Sequence, residues 1–514
     1  MVDNSLGDCL LFCVGVVWLA DTGSVVGRVF RGGVWLYLSN IVINVFGFVY
    51  WFVISAVAGP GVLGVTSAIV GLASLVAGFA SLGVNVGVQR FLGYYLGRSD
   101  REGLRRCFWS VFFFSLAVFG CASSILLFLS LFNFHFHGFS SGMVLFSSVI
   151  VFLSTNVVFV AFLLSALRTR VIFLANLIGN VLRVLVGVSL VLLGFGWVGS
   201  TLGYVMVYLT VFVVGFIYTL RFLGFRFIFD FGVLRGVLVA GLASWVPRVI
   251  VLAGQWVGVL AVFGFTGAVE TGYYYVAFTI GNIVTFIGAS LVQLLLPVLS
   301  GMGDGRKRAA GWVLRLALSF MAPVAVFVAC YPWLPLSLLG RGYVSASDTL
   351  FVLVFASVPI VITTCVINLV YAYGDYLKVL VIGLAQNVPR VVLYYVLTPL
   401  YGGLGAALSF TVGGFIGFIV ALVVACRVGF VVSLRDLGVI VGVPAVPALV
   451  VYFLGLHWLI GGLLIALCVL IGYPRLGIVR RVDLVELSRA FLSEEQRRQV
   501  YLRVKPLVDT LFPE

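Results

Sequence analysis

The chain is dominated by apolar runs of about 20 residues that follow one another with only short polar interruptions. A run of this length spans the hydrocarbon core of a bilayer as an α-helix. With 63% hydrophobic and only 9% charged residues, the 514-residue composition excludes a water-soluble globular protein. The spans use most of the chain and leave no room for a large soluble catalytic domain. The sequence therefore predicts an all-α polytopic membrane protein.

We predict about fourteen transmembrane helices. They cover residues 33–57, 62–88, 107–132, 143–167, 171–194, 198–220, 236–263, 273–299, 311–331, 349–373, 377–397, 403–426, 438–456 and 458–473. An earlier apolar stretch, residues 9–20, is too short to span and lacks the basic residues that precede a secretory signal. We expect a surface helix there.

Positive charge is distributed very unevenly between the two alternating sets of loops. One set carries eighteen Lys and Arg residues, whereas the other carries only Arg341. Because basic loops stay in the cytoplasm, both termini are expected on the cytoplasmic side of the cell membrane. The net charge of +14 therefore reflects membrane topology, and we predict no nucleic-acid partner.

The two halves of the sequence are related at an offset of 206 to 208 residues. The matching pairs are Arg183 and Arg390, Gly59 and Gly267, Gly64 and Gly272, Gly196 and Gly402, Gly199 and Gly405, and Asn85 and Gln293. An even number of spans per half keeps the repeats parallel. We therefore predict two six-helix lobes at 33–231 and 232–430. Residues 1–32 form a cytoplasmic N-terminal segment, 431–473 two extra helices, and 474–514 a cytoplasmic amphipathic tail.

Four arginines lie inside the apolar segments, namely Arg183, Arg248, Arg315 and Arg390. A charged side chain is costly in hydrocarbon, so such residues normally face protein or water. Arg248 lies near the middle of its span directly after Pro247, a residue that favours a break lining a cavity. It is the first candidate for substrate contact. Arg315 lies about one turn inside the cytoplasmic end of its span, where snorkelling explains it.

Amide side chains form stripes on the helices that open the two lobes. The candidates for substrate binding on these faces are Asn40, Asn44, Gln255, Asn282 and Gln293. A similar pair, Asn85 and Gln89, is predicted at the end of span 2. At helical periodicity each stripe shares one face and can line a central cavity. The alternative is that these amides hold neighbouring helices together.

Arg183 and Arg390 are repeat mates, and each has amide residues on its own helix face. Their role is either substrate binding or a structural bond within each lobe, such as one to the carbonyls of a broken helix. Both arginines are therefore candidate substrate-binding residues. Arg248 instead pairs by offset with Asn40. A single substrate site on the pseudo-twofold axis between the predicted lobes would need such a difference between repeat mates, here an arginine in one lobe and an asparagine in the other.

All seventeen acidic residues lie in termini, loops or span edges. Arginine without a nearby carboxylate suits an anionic ligand, because guanidinium groups bind phosphate oxygens in pairs. The usual intramembrane site for proton or sodium coupling is missing. The sequence carries no Walker motif or nucleophile elbow, and His135 with His137 makes a poor metal site. We predict a transporter without a cofactor, metal or catalytic residues.

Several segments together resemble the polysaccharide flippases of the multidrug/oligosaccharidyl-lipid/polysaccharide (MOP) superfamily. These segments are SAVAGPGVLGV at 55–65, the end of the second helix at 82–91, and residues 271–275, 294–300 and 399–407. Their order and spacing extend the resemblance over about residues 30–430. It implies two lobes around a cavity that shelters the sugar-phosphate head of a polyprenyl- or dolichyl-linked oligosaccharide. The lipid would move from the inner to the outer leaflet by alternating access, with Arg248 serving the anionic group.

Two other functions remain open at this point. A cation-coupled multidrug exporter of the same superfamily would need a buried carboxylate in the first lobe, which the sequence lacks. A membrane-embedded polysaccharide polymerase or glycosyltransferase would need acidic or histidine residues on a large outer loop, and the outer loop at 332–348 is short and nearly uncharged. Flipping of a peptidoglycan precursor is a related option. The expected partners are a lipid-linked anionic oligosaccharide and membrane lipid, with glycan-assembly enzymes as further candidates, and a monomer is the default.

Overall fold

The structure, a computed structural model, describes residues 25–132, 138–225, 228–293, 295, 299, 302, 304–481 and 483. Within these ranges the chain is almost entirely helical and contains no β-strand. The predicted all-α fold is therefore confirmed. The predicted surface helix at 9–20, the histidine pair at 135 and 137, and the tail beyond 483 lie outside the described residues.

The first compact unit contains the described residues up to Leu252, together with Gly267–Gly272. Its helices are α1 (Val25–Ala80), α2 (Val84–Gly97), α3 (Arg101–Leu131), α4 (Ser141–Leu153), α5 (Val157–Ser165), α6 (Thr169–Leu190) and α7 (Gly196–Leu223). Helix α8 (Phe231–Thr266) begins in this unit and ends in the second.

The second unit contains Ala253–Thr266 and the described residues from Tyr273 onward. The helices that follow α8 are α9 (Ala268–Gln293), α10 (Arg306–Cys330), α11 (Trp333–Ser337), α12 (Ser347–Phe355), α13 (Ser357–Ala372), α14 (Tyr376–Val428), α15 (Leu434–Phe453) and α16 (Trp458–Arg475). The lobe boundary expected between residues 231 and 232 stays a prediction.

Eleven helical segments of the described chain are long and apolar enough to cross a membrane. Three of them, in α1, in α6 with α7, and in α14, have 46, 55 and 53 residues, and a single crossing needs only about 20. Each contains a glycine with non-helical backbone angles, namely Gly59, Gly194 and Gly402. These glycines lie where the sequence predicts a boundary between two spans. The exact number of fourteen spans stays a prediction.

The repeat expected from glycine spacing is visible in the backbone. Gly59 and Gly267 have φ angles of 75° and 88°, and Gly196 and Gly402 have φ angles of 50° and 57°. A residue with a Cβ pays about 1–2 kcal/mol in this left-handed region, so glycine is favoured at both members of each pair. Equivalent turns therefore interrupt the helices at equivalent points of the two repeats.

The second predicted span, 62–88, is wrong at its end. Helix α1 ends and α2 begins on either side of Leu82 and Gly83, whose φ angles are 43° and 69°. Asn85 and Gln89 consequently lie on α2 and not at the end of the second span. The apolar run continues through the turn, and a leucine in the left-handed region leaves no signal in the sequence.

An aromatic cluster forms the core of the first unit. Phe108, Trp109 and Phe112 on α3 pack against Phe159 and Phe162 on α5, and all five are at most 5% exposed. Their ring centroids lie 5.2–6.2 Å apart, within the range of favourable ring pairs. Close packing of this kind fixes the helices of the unit against each other.

In the second unit a buried ion pair attaches the segment after α16 to α10. The Arg315 Nη2 lies 3.1 Å from an oxygen of Asp483, whose side chain is 3% exposed. Trp312 Nε1 donates a hydrogen bond of 2.6 Å to the same carboxylate. Snorkelling therefore does not account for Arg315, because the carboxylate compensates its charge. The pair joins residues 168 positions apart, a separation that leaves no local pattern in the sequence.

Candidate functional site

The exposed candidates of the first unit lie on α1 and α8. Asn40 and Asn44 are exposed one helical turn apart, and the Asn44 Nδ2 donates to the Asn40 carbonyl oxygen at 2.8 Å. Arg248 is also exposed, and its side chain makes no hydrogen bond or ion pair with any described residue. An apolar helix thus presents a guanidinium group whose hydrogen-bonding capacity is unused.

The helix that carries Arg248 is held firmly within the first unit. Trp245 Nε1 donates to the Gly78 carbonyl oxygen of α1 at 3.1 Å. The Ser244 Oγ donates within α8 itself, to the Gly241 carbonyl oxygen at 2.8 Å. Helix α8 runs continuously through Pro247, so the break expected at that proline is not present. The position of Arg248 depends on helix packing and not on an interruption of the backbone.

The three exposed candidates of the second unit are Gln255 on α8 and Asn282 and Gln293 on α9. None of their side chains hydrogen-bonds to a described residue. Each amide therefore retains both its donors and its acceptor. Because isolated amides are costly against lipid, we expect these faces to contact water or a polar ligand.

Arg183 is buried within the first unit, with 4% of its surface exposed. Its guanidinium carbon lies 4.2 Å from the ring centroid of Tyr50 and 4.1 Å from that of Tyr204, with Trp51 at 5.6 Å. Tyr50 is itself fixed, because its hydroxyl donates to the Ser200 carbonyl oxygen. Arg183 Nε and Nη2 are buried and have no hydrogen-bond partner among the described residues. Contacts with aromatic rings, rather than hydrogen bonds to acceptor atoms, therefore hold this arginine.

Arg390 is equally buried within the second unit, at 3% exposure, but it is hydrogen-bonded. Its Nε and Nη2 donate to the Phe410 carbonyl oxygen at 3.2 and 3.1 Å, and its Nη1 donates to Asn387 Oδ1 at 3.1 Å. The guanidinium carbon also lies 3.8 Å from the Phe410 ring centroid. This network corresponds to the structural alternative considered for the repeat mates, namely a bond to a helix carbonyl.

Among the described residues, no acidic side chain pairs with Arg183, Arg248 or Arg390. Ion pairs in this part of the chain include those of Glu102 with Arg106, Asp375 with Lys378, and Asp483 with Arg315. At the start of α14, hydrogen bonds from the Lys378 side chain and backbone lower the pKa of the Asp375 carboxyl. The described residues also contain no group of three or more potential metal ligands. Among the described residues, the exposed candidates are thus one guanidinium group and five amides, all of which can donate hydrogen bonds to oxygen atoms.

The family of the chain follows from a comparison with protein-family models. Residues 68–348, more than half of the chain, match the model described as a polysaccharide biosynthesis protein. The chain belongs to this family. The resemblance read from the sequence motifs is therefore confirmed, and none of the curated proteins matches the chain significantly.

Solved structures that share the fold of this family member are membrane transporters. A lipid II flippase, MurJ, in an inward closed conformation superposes with a TM-score of 0.71 at 15% identity over 89% of this chain and 100% of the other. An inward-facing multidrug resistance MATE transporter of the MOP superfamily gives 0.58 at 15% identity, over 77% and 98%. A MOP transporter from Pyrococcus furiosus, described as having reversed pocket polarity, gives 0.51 at 14% identity, over 78% and 96%. The family member has the MOP fold.

Proposed function

We propose that the protein is a flippase that moves a lipid-linked oligosaccharide from the inner to the outer leaflet by alternating access. Membership of the polysaccharide biosynthesis family and a fold shared with transporters support a transport role in glycan assembly. The head group of such a lipid is polyhydroxylated and charged. Unassisted, it would lose its hydrogen bonds to water on entering hydrocarbon, so a protein path with polar side chains is needed.

The observation that carries this proposal is the exposed, unpaired guanidinium of Arg248 on an apolar helix. A positive charge without a carboxylate partner favours an anion such as the phosphate or pyrophosphate that links glycan to lipid. A cationic drug would meet repulsion at the same position. We assign the direct substrate contacts to Arg248 and the five exposed amides, namely Asn40, Asn44, Gln255, Asn282 and Gln293.

The remaining parts of the proposal concern topology and partners. The charge asymmetry of the loops supports a multi-pass protein of the cell membrane with both termini in the cytoplasm. We propose that the protein acts as a monomer, because the contacts proposed above need no residue from a second copy of the chain. Enzymes that build the glycan on the cytoplasmic side would supply the substrate.

A flipping assay with single-site variants tests this function. The protein is reconstituted in liposomes with a fluorescent polyprenyl-pyrophosphate oligosaccharide, and a membrane-impermeant quencher reports the lipid that reaches the outer leaflet. We expect Arg248→Ala to slow flipping by about a hundredfold or more, because loss of a charge-assisted bond costs about 3 kcal/mol. Arg248→Lys should retain part of the rate.

Arg235→Ala is the matched control, since Arg235 is an exposed arginine near the start of the same helix. It should flip lipid at the wild-type rate. If Arg248→Ala flips lipid at the wild-type rate, Arg248 does not contact the substrate as proposed. A wild-type protein that flips no glycolipid, but expels a cationic dye when an ion gradient is applied, would instead support the multidrug exporter.

A further inference from the structure

The guanidinium group of Arg183 has hydrogen-bonding capacity that the first unit does not use. Its carbon lies 4.2 and 4.1 Å from the ring centroids of Tyr50 and Tyr204, while Nε and Nη2 find no acceptor among the described residues. Buried donors are nearly always satisfied in folded proteins. Because only ring stacking holds this group, a change in its orientation would break no hydrogen bond.

A glycine separates Arg183 from the exposed face of α1. A Cβ built on Gly47 would lie 4.0 Å from the Arg183 Nη1, and no other atom from a neighbouring helix lies within that distance. Gly47 follows Asn40 and Asn44 at helical spacing, so the three residues share one face. Both asparagines are exposed. At Gly47, therefore, no side chain of α1 covers the path from the buried guanidinium to the polar face.

We propose that Arg183, Asn40 and Asn44 form an oxyanion-binding site around Gly47. This inference rests on the proposed function, and its ligand is the phosphoryl or pyrophosphoryl group of the transported lipid. Nη1 is the guanidinium nitrogen that faces Gly47, and a rotation of the group, which breaks no hydrogen bond, brings a second nitrogen alongside it, so that two oxygens of one oxyanion are bound side by side. The Asn44 amide adds a donor, because its Nδ2 uses only one hydrogen on the Asn40 carbonyl. An oxyanion bound here supplies the acceptors that Arg183 lacks.

The repeat mate of Arg183 shows why the site belongs to one unit only. In Arg390 the same Nε and Nη2 edge already binds the Phe410 carbonyl oxygen, and Nη1 binds Asn387. An anion at that position would have to displace three hydrogen bonds. The second unit therefore contributes no equivalent site.

Titration of the full chain in lipid nanodiscs with inorganic pyrophosphate tests the proposal by calorimetry. Gly47→Leu covers the path without altering Arg183, and Arg183→Lys keeps the charge but loses the side-by-side pair of donors. We expect both variants to weaken binding by about tenfold or more, the loss of about one charge-assisted hydrogen bond. Gly120→Leu is the control, because nothing lies within 4 Å of a Cβ at that helical glycine. It should bind as the wild type does.

The outcomes separate this inference from the proposed function. If Gly47→Leu and Arg183→Lys bind pyrophosphate as tightly as the wild type, or if the wild type binds none, the site does not exist, even if the protein flips glycolipid. If both variants lose binding while the wild type flips no glycolipid, the anion site stands and the proposed function fails. Competition by a short-chain prenyl-pyrophosphate oligosaccharide should displace pyrophosphate. If it does not compete, the oxyanion that binds this site is not part of the transported lipid.

Discussion

The surroundings of Arg183 and Arg390 differ although the two arginines are equivalent in the repeat. Both are at least 96% buried, and neither has a carboxylate partner among the described residues. Arg390 is compensated by three hydrogen bonds, two of them to the Phe410 carbonyl oxygen. Arg183 is compensated by aromatic rings alone. Each ring contributes about 0.5–2 kcal/mol, which stabilises the charge but leaves its N–H groups unsatisfied.

The origin of this difference is an exchange of residues between equivalent helix positions. In the first unit a Cβ on Gly187 would lie 2.6 Å from the Tyr50 hydroxyl, and in the second a Cβ on Gly258 would lie 2.7 Å from the Tyr394 ring. Tyr394 is the repeat mate of Gly187, and Gly258 is that of Tyr50, at offsets of 207 and 208. A tyrosine therefore packs on a glycine in both units, but it comes from opposite helices. Only in the first unit does this tyrosine stack on the arginine.

A duplicated framework can thus carry a non-equivalent site. The second unit uses its arginine to fix one part of α14 to another, whereas the first leaves the corresponding group without acceptors. We therefore expect Arg390 to contribute more than Arg183 to stability, and Arg183 to contribute more than Arg390 to function.

The largest expected effect concerns the arginines themselves. Arg390→Met should lower the free energy of unfolding by about 3 kcal/mol, because it removes charge-assisted hydrogen bonds in a buried site. Arg183→Met should change it by less than about 1 kcal/mol, since the lost ring stacking is offset by the removal of two unsatisfied donors. Denaturant titration in mixed micelles measures both values. Equal losses in the two variants would contradict the comparison.

The turns of this fold were largely predictable because they use glycine. The spacing of Gly59, Gly196, Gly267 and Gly402 indicated the repeat, and all four have a positive φ in the structure. The turn at Leu82 and Gly83 was not predicted although it also contains a glycine, since the apolar run continues through it and no glycine stands at the equivalent position of the second repeat. Continuity of α8 through Pro247 was also missed, because packing of Trp245 on α1 helps to hold that helix in place.

The site was predictable only in part. A charge within an apolar run identifies Arg183 and Arg390 whatever their neighbours are. Whether each meets a ring or a carbonyl depends on residues from elsewhere in the chain, such as Tyr50 and Phe410, and therefore on how the helices pack. Sequence spacing along one helix carries no information about that choice. The assignment of the exposed residues to substrate binding stays a prediction.

The next largest effect is expected at the two glycines against which the exchanged tyrosines pack. Gly187→Ala and Gly258→Ala should each lower the free energy of unfolding by about 2 kcal/mol, because the added methyl overlaps a buried ring. Tyr50→Leu should relieve the loss in Gly187→Ala but not in Gly258→Ala. Tyr394→Leu should do the reverse. Denaturant titration of the four double variants measures this pattern, and rescue by the wrong tyrosine would show that the exchange is misassigned.

The smallest effect separates the asparagines that precede the two arginines. Asn387→Ala should cost about 1.5 kcal/mol, because it leaves Arg390 Nη1 buried without an acceptor. Asn180→Ala should cost only about 0.5 kcal/mol, since the Asn180 Nδ2 bonds only within its own helix, to the Asn176 carbonyl oxygen. A double-mutant cycle sharpens the test. In the Arg390→Met background Asn387→Ala should lose most of its cost, whereas Asn180→Ala should cost the same with or without Arg183→Met. A coupling between Asn180 and Arg183 as large as that between Asn387 and Arg390 would mean that Arg183 has an acceptor after all.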